Sequence, residues 1–597
     1  MASFIRKEIP EWMRERFSIN QRFLVLCVVA GILCGLAAVV FHLTIETIFE
    51  GLWHLAEGSS PAQFIALMIL APTIGGLLVG WITTRYAPEA VGSGIPQTKM
   101  AYYNRGGHVR SYIGLARLAL ASFYIGLGNS LGREGPTVHI SAAIASRLGR
   151  WGFRDAARIQ SMMPVGVAAG IAAAFNAPLS ALTFVFEELL DNFSMKSLGG
   201  MVFAVVIAAA LSRSILGEDP ILATKIQTEF TTSPWMLISL PLGLACGLFG
   251  HLFTTSTLQL RKTFRKQSLL PRWIQPAIGG FSCGLIGLAA YYLTRQYGNA
   301  RHSVFSIGYD SLEAAFQNNL ILPILVILFV CKMAAVILNY ASGGSGGLFS
   351  PTLFLGGILG AIAGVLLTQA SADVAWLPAL PADHSAVGGC VLVGMGAMFA
   401  AVIGCPFTSL LIIFEMTGNY DLILPLMAGN VVAWQISKRL RPIAIYDALL
   451  LQDGINIRSL PAYRGAQDYR ALPVQSIMTT DVFYLASNLT CGEARAIARE
   501  ESHLFHAYPV LDSEQRLHGV VTRHDLREQA EDMLLSELIA KQDVLSVTAS
   551  TSIQKAAQAL IRHDYQQVPV VSPSDKQKLV GWLTSNDIAR QQNAMGD

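Results

Sequence analysis

The sequence predicts an all-α polytopic membrane protein with an inverted internal repeat and broken helices, followed by a small α/β module. Three observations carry this. The first is regional composition. Of the 597 residues, 52% are hydrophobic and only 14% charged, against about 25% charged in an ordinary soluble chain. The shortfall lies in residues 22–450, where runs such as RFLVLCVVAGILCGLAAVVF and ILPILVILFVCKMAAVIL are long enough to cross a hydrocarbon layer about 30 Å thick. The second is a repeat inside that region. The third is a set of apolar pieces opened by glycine and proline.

The elements follow in chain order. Residues 1–21 are polar and carry Arg6, Lys7, Arg14 and Arg16, with Arg22 just behind. That basic cluster predicts a cytoplasmic N-terminus. Long apolar segments predict helices at 22–50, 65–84, 108–130, 155–174, 196–216, 233–262, 272–296, 317–340, 385–403 and 421–440. Lys438, Arg439 and Arg441 flank the last of these, so the C-terminal side is expected in the cytoplasm too and the number of crossings is even. Between them lie shorter pieces: GSGIPQ at 92–97, GREGPTVHISAAIA at 132–145, NAPLSALTFVFEEL at 176–189, GGLFSPTLFLGGILG at 346–360 and GCPFTSLLIIFEMT at 404–417. Helices interrupted at membrane depth are tolerated only where they line a cavity or are buried in protein. Five interruptions predict a built site.

The repeat is read residue by residue. GVAAGIAAAFNAPLSALTFVFEE at 166–188 aligns without gaps on GMGAMFAAVIGCPFTSLLIIFEM at 394–416, at a constant offset of 228. Gly166 falls on Gly394, Pro178 on Pro406, Phe186 on Phe414 and Glu187 on Glu415. Upstream, Pro136-Thr137 pairs with Pro351-Thr352 at an offset of 215. Interrupted segments at matching places in two halves are the pattern of a transporter with its site at the repeat interface.

From about residue 465 the composition is that of a soluble domain. LHGVVTRHDL at 517–526 echoes LVGWLTSNDI at 579–588, and AYPVLD at 507–512 echoes VPVVSP at 568–573. Each half reads strand, helix, strand, strand, helix, with turn chemistry at Asp512-Ser513 and at Ser572-Pro573-Ser574-Asp575. The expected organisation is therefore an N-terminal segment at 1–21, a membrane domain at 22–452, a linker at 453–471 and two α/β units at 472–530 and 531–597.

Other function classes fall away. A net charge of +3 is too small to suggest nucleic-acid binding. The eight cysteines show no paired spacing and read as buried small hydrophobes. No nucleophile–base pair, metal cluster or phosphate loop with its lysine is evident, so the chain reads as something other than an enzyme. Asn192 and Asn488 match the glycosylation pattern but carry little weight.

The glycine–proline breaks have a chemical meaning. A helix N-terminus offers unpaired backbone N–H groups and the positive end of the helix dipole, which suits an anion. Glycines before it let the backbone approach a ligand, and proline in the first turn loses no hydrogen bond. Three such starts converging near the midplane would hold an anion without a full fixed positive charge, and release it quickly. Glu134 of GREGPT is itself a buried anion in such a place.

GSGIP at 92–96, GREGP at 132–136, GGLFSP at 346–351 and the tyrosine of PIAIYDALL at 442–450 resemble, in order, the signatures of the CLC family of chloride channels and chloride/proton exchangers. The resemblance covers about residues 22–452. The tail resembles a pair of cystathionine-β-synthase (CBS) domains. The resemblance implies the following roles. Ser93 and Tyr446 offer hydroxyls to a central chloride, and the backbone N–H groups of Leu348 and Phe349 face it. Glu134 is the gate, which competes with chloride when ionised and carries a proton when it leaves. Arg133 and Gly135 surround an outer anion site through their amides. Glu188 takes protons from the cytoplasm, a group that channels of the family usually lack. Ser93 argues for chloride over nitrate or fluoride.

Glu187 and Glu415 read as structural, capping or pairing inside a bundle at a dimer interface. His139 reads as a packed histidine. In the tail, Thr522, Asp525, Thr584 and Asp587 stand where nucleotide-binding CBS pairs hold phosphate and ribose. The module is thus either an adenine-nucleotide site or a structural and regulatory unit, and transport itself requires no cofactor. The implied protein is a homodimeric chloride/proton exchanger in a bilayer, in the bacterial inner membrane, with a passive voltage-gated chloride channel as the alternative. A membrane-anchored nucleotide sensor without transport leaves Ser93 and the breaks unexplained.

Overall fold

The computed structural model describes residues 17–595 apart from 154, 191–197, 218–236, 268–269, 297–302, 374–384, 456, 458–471, 500–505, 541, 543 and 576. Most of the 1–21 segment, nearly all of the 453–471 linker and Asn192 lie outside the described residues. The chain divides into two compact units, residues 1–463 and 464–597.

In the first unit, eight helices among the described residues are long and apolar enough to cross a membrane: Ile19–Glu57, Pro61–Arg85, Ala157–Phe175, Leu198–Leu216, Gln275–Arg295, Leu322–Ala341, Phe349–Ala370 and Ala386–Ile403. The protein is an integral membrane protein. Ser111–Gly126, Ser239–Lys266 and Ile423–Leu440 account for the other long apolar segments. Two of the interrupted pieces are longer than expected. GREGPT opens a 19-residue helix, Glu134–Gly152, and the third motif opens a 25-residue helix, Phe349–Asp373. In the latter, glycine serves packing. A methyl group added at Gly356 would strike the backbone of Gly394, one at Gly360 that of Cys390, and one at Gly364 that of Val387. Small residues four apart let two helices meet backbone to backbone. The partner helix, Ala386–Ile403, is buried along its whole length.

The two halves cap each other's helices. The Glu415 carboxylate accepts from the N–H of Leu179 at 2.9 Å and of Ser180 at 2.7 Å. Glu187 accepts from Phe407 N–H at 3.2 Å and Thr408 N–H at 2.7 Å. Each acid thus satisfies the first amides of the proline-led helix in the other half, Pro178–Phe184 or Pro406–Thr417. The capping reading of this pair holds. Glu187 and Glu188 lie in one wide helical turn, Val185–Leu190, of the π type often found at functional sites.

In the second unit, Leu485–Ala486, Ala507–Leu511 and Leu517–Thr522 form one three-stranded sheet, and Val547–Thr548, Gln567–Val571 and Leu579–Thr584 form another. In each sheet the first pair is parallel and the second antiparallel. The intervening and closing helices match the order read from the sequence. The packing is exchanged at the edges. Val474 sits in the core of the second sheet, whereas Leu535 and Ile539 sit in the core of the first.

Candidate functional site

The site is assembled from three loops. In GSGIP, Gly92 has φ +73° and Gly94 φ +97°, a backbone only glycine adopts without strain. This kinked loop is held from behind by Arg117. The guanidinium is fully buried and donates to the carbonyls of Glu89 at 2.5 Å, Gly92 at 2.7 Å and Val91 at 3.3 Å. Ser345 Oγ donates to Ala90 O at 2.9 Å, and Gly92 N–H to Gly344 O at 3.0 Å, which joins the first loop to the third motif. The second and third motifs are joined directly. Gly132 N–H donates to Gly347 O at 2.8 Å and Gly347 N–H to Gly132 O at 2.6 Å, an isolated antiparallel bridge. Gly135 faces Ser93 so closely that an added methyl would collide with the serine carbonyl and hydroxyl.

The structure therefore brings Ser93, Arg133, Glu134, Gly135, Leu348, Phe349 and Tyr446 into one buried region. Leu348 and Phe349 stand at the start of the helix Phe349–Asp373, where the first amides have no intrahelical acceptor. The Phe349 ring is fixed by Phe399, Phe175 and Phe184 at centroid distances of 4.4, 4.7 and 5.8 Å. Ser93 Oγ and the Tyr446 hydroxyl are buried and close enough to sense each other. Neither makes a hydrogen bond of normal geometry among the described residues. A buried hydroxyl left unpaired costs about 1–3 kcal/mol. Two of them side by side, with helix-start amides near, form a donor set suited to an anion.

Glu134 is 1% exposed. Its carboxylate accepts from the Tyr309 hydroxyl at 3.1 Å and from Ser350 N–H at 3.3 Å, with Arg133 Nε at 3.9 Å. A negative group thus lies on the N-terminus of the helix Phe349–Asp373, the place that favours one. Arg133 reaches His42 and the Ala174 carbonyl, and its guanidinium lies 5.9 Å from the Tyr309 ring centre.

Glu188 is buried in a different setting. Lys99 Nζ lies 2.9 Å from Glu188 Oε1 and 2.7 Å from Asp447 Oδ1, and Cys405 Sγ lies 3.5 Å from Glu188 Oε2. Glu188, Lys99 and Asp447 line a cavity of about 210 Å³ that also touches Trp434, Lys438 and Arg441. His139 is packed inside its helix at 1% exposure.

Five residues here escaped the sequence reading: Lys99, Arg117, Tyr309, Lys332 and Asp447. Lys332 is fully buried and donates to the carbonyls of Ser306, Ile307 and Val304 at 2.9, 3.0 and 3.1 Å. It fixes the loop before the short helix Tyr309–Phe316, and so the Tyr309 hydroxyl. The expectation of a site without a fixed full positive charge needs correction in one respect. Arg133 Nε lies 3.9 Å from the Glu134 carboxylate, while the buried Arg117 and Lys332 direct most of their donors to backbone carbonyls. The available signal was a lone cation inside an apolar run, as in FVCKMAAV and LARLALA.

In the second unit, Thr522 and Asp525 bond to each other. Asp525 Oδ2 accepts from Thr522 N–H at 2.8 Å and its hydroxyl at 2.7 Å, and Thr584 with Asp587 repeats this at 2.9 and 2.8 Å. Both pairs are helix caps. One oxygen of each carboxylate, Oδ1, lies outside this cap.

The chain is similar to known proteins along most of its length. The family model described as voltage gated chloride channel matches residues 75–438, and the CBS domain model matches 474–532 and 535–593. The chain is 32% identical over 446 residues to the H(+)/Cl(-) exchange transporter ClcA of Vibrio campbellii, spanning 72% of this chain and 88% of that one. It is 31% identical over 447 residues to the protein of the same name from Vibrio parahaemolyticus, spanning 72% and 89%. Among solved structures, a slow cyanobacterial Cl-/H+ antiporter superposes with a TM-score of 0.64 at 24% identity, covering 73% of this chain and 98% of the other. A eukaryotic CLC transporter superposes with a TM-score of 0.62 at 18% identity over 95% and 98%.

Proposed function

The chain belongs to the voltage-gated chloride channel (CLC) family, and on that premise we propose that it exchanges chloride for protons across its membrane. The relatives from Vibrio are named as exchange transporters of this kind. One observation carries the reading: two buried hydroxyls, Ser93 and Tyr446, with no hydrogen bond of normal geometry among the described residues, share a region with a buried carboxylate, Glu134, seated on a helix N-terminus. Chloride binds between the two hydroxyls and the amides of Leu348 and Phe349. Ionised Glu134 competes for the adjoining positive ground, where the amides of Arg133 and Gly135 lie. When Glu134 takes a proton it loses its attraction for helix-start amides, leaves, and an anion follows. Glu188 receives protons from the cytoplasmic cavity it lines. Glu134 is the extracellular acceptor.

A passive chloride channel is favoured by a single observation. Lys99 holds Glu188 in an ion pair, which gives this acid a structural role that needs no proton transfer. The two readings separate in liposomes with the full-length chain. Under an imposed chloride gradient, an exchanger drives protons uphill and a channel does not. Absence of uphill proton movement rejects the exchanger, and absence of tracer chloride uptake rejects both.

The same reading makes the protein a homodimer with one pathway per subunit, in the bacterial inner membrane, with both termini in the cytoplasm. No cofactor serves the transport step. The CBS pair regulates it, and adenine nucleotide is its ligand, held through the Oδ1 atoms of Asp525 and Asp587. Equilibrium dialysis of ATP against wild type and the double variant D525N/D587N tests this, since equal retention by both would remove those residues from the site.

A further inference from the structure

A second cavity, of about 890 Å³, opens at the basic end of the membrane unit. Lys262, Arg265 and Lys266 line it from the C-terminal end of the helix Ser239–Lys266, joined by Arg272 and Arg441. His251 contributes a buried Nδ1 with no hydrogen-bond partner among the described residues. Lys262 and Lys266 stand four apart on one helix face, where like charges repel. Asp453 is the acid beside this cluster, and it is taken up by Arg261 at 2.8 Å and by Arg265. Among the described residues, Lys262, Lys266, Arg272 and Arg441 have no acid partner. Such a concave wall repels itself unless a multivalent anion neutralises it.

The rest of the wall is apolar. Leu440, Ile443 and Leu451 line the cavity, and Leu440 and Leu451 are about half exposed, at 50% and 42%. Next to Arg272, Trp273 is 40% exposed, as expected of an indole at a membrane–water boundary. Basic groups beside exposed aliphatic ones, at the end that the positive-inside rule puts in the cytoplasm, suit a headgroup better than a free ion.

We propose that this pocket binds the phosphate group of an anionic phospholipid from the cytoplasmic leaflet. The phosphate oxygens pair with Lys262, Lys266 and Arg272, and the acyl chains run along Leu440 and Leu451. The site is continuous with the transport region, because Arg441, Pro442 and Ile443 line both this cavity and the one containing Glu188. Its occupant therefore touches the segment that leads to Tyr446.

The test is native mass spectrometry of the full-length chain released from nanodiscs of phosphatidylcholine containing phosphatidylglycerol. The readout is bound lipid mass, so it stands or falls apart from the transport reading. Wild type is expected to retain phosphatidylglycerol, and K262Q/K266Q/R272Q to retain it roughly tenfold less or weaker still. The charge-keeping variant K262R/K266R/R272K is expected to behave as wild type, which also controls for folding. A further arm adds inorganic phosphate. Displacement of the lipid assigns recognition to the phosphate group alone, and persistence assigns it to the whole lipid; both support the site. Equal retention by wild type and the neutralised variant overturns the proposal, as does loss of lipid in the charge-keeping variant.

Discussion

The two halves of the membrane unit share a scaffold and differ in its ionisable groups. At an offset of 215, Gly132 falls on Gly347, Pro136 on Pro351 and Thr137 on Thr352. The glycines pair with each other across the repeat, and the threonines both turn back on their own helix starts, to Arg133 O at 2.9 Å and Phe349 O at 2.6 Å. At the same offset Glu134 falls on Phe349, and Arg133 on Leu348. At the offset of 228, Glu188 falls on Met416. The first half thus places two carboxylates where the second places a phenyl ring and a thioether. Glu134 sits under a tyrosine hydroxyl, whereas Phe349 sits among three rings. The lesson is that one scaffold was used twice: the capping acids Glu187 and Glu415 stand in both halves, whereas Glu134 and Glu188 stand in the first alone. At those two positions the second half supplies packing instead of a carboxylate.

Substitutions can break that comparison, and the largest effect belongs to the acid itself. Glu134→Gln is expected to reduce uphill proton movement in liposomes to background while chloride flux persists. The matching change in the second half, Phe349→Leu, keeps its backbone amide and is expected to keep the coupling. Coupling that survives in the first variant would end the assignment of Glu134. Next comes Gly135→Ala. Its methyl group has no room beside Ser93, so chloride binding by calorimetry is expected to disappear. At the counterpart position, Ser350→Ala should leave it measurable.

A smaller effect sharpens the role of Tyr309. Tyr309→Phe removes one hydrogen bond to a charged group, worth about 1.5 kcal/mol. Glu134 then competes less well for its seat, and chloride binding is expected to tighten by up to about tenfold. Unchanged affinity would make the Tyr309 contact incidental. The smallest effects should be symmetric. Glu187→Gln and Glu415→Gln each weaken a helix cap in the opposite half, at about 0.5–2 kcal/mol. Both should lower the thermal midpoint by similar amounts without altering coupling. A large difference between them would show that the two caps are unequal.

Which parts were legible in the sequence follows from how local their signals are. Ser93, Glu134, Phe349 and Tyr446 sit in short motifs whose glycines and prolines announce a turn, so the loops could be read one at a time. Their supports could not. Tyr309 reaches Glu134 across 175 positions and Lys99 reaches Asp447 across 348, and a motif at one end does not say which distant residue meets it. The helix Tyr309–Phe316 is eight residues long, too short for a periodic pattern to stand out. The role of Gly356, Gly360 and Gly364 was not legible either, because they become contact points only when Gly394, Cys390 and Val387 of the partner helix are in place. Glu188 was legible as an acid at a helix end. Its burial against Lys99 was not, because the wide turn that points it inward leaves no mark in the sequence.

The pair of hydrogen bonds between Gly132 and Gly347, at 2.8 and 2.6 Å, has a mechanical consequence. It stitches the two halves together at the level of the site. A machine that works by rocking one half against the other would have to tear this seam in every cycle. Under the proposed exchange the seam would stay shut and the moving part would shrink to the Glu134 side chain, a turnstile in a fixed frame whose stroke length is the swing of one glutamate.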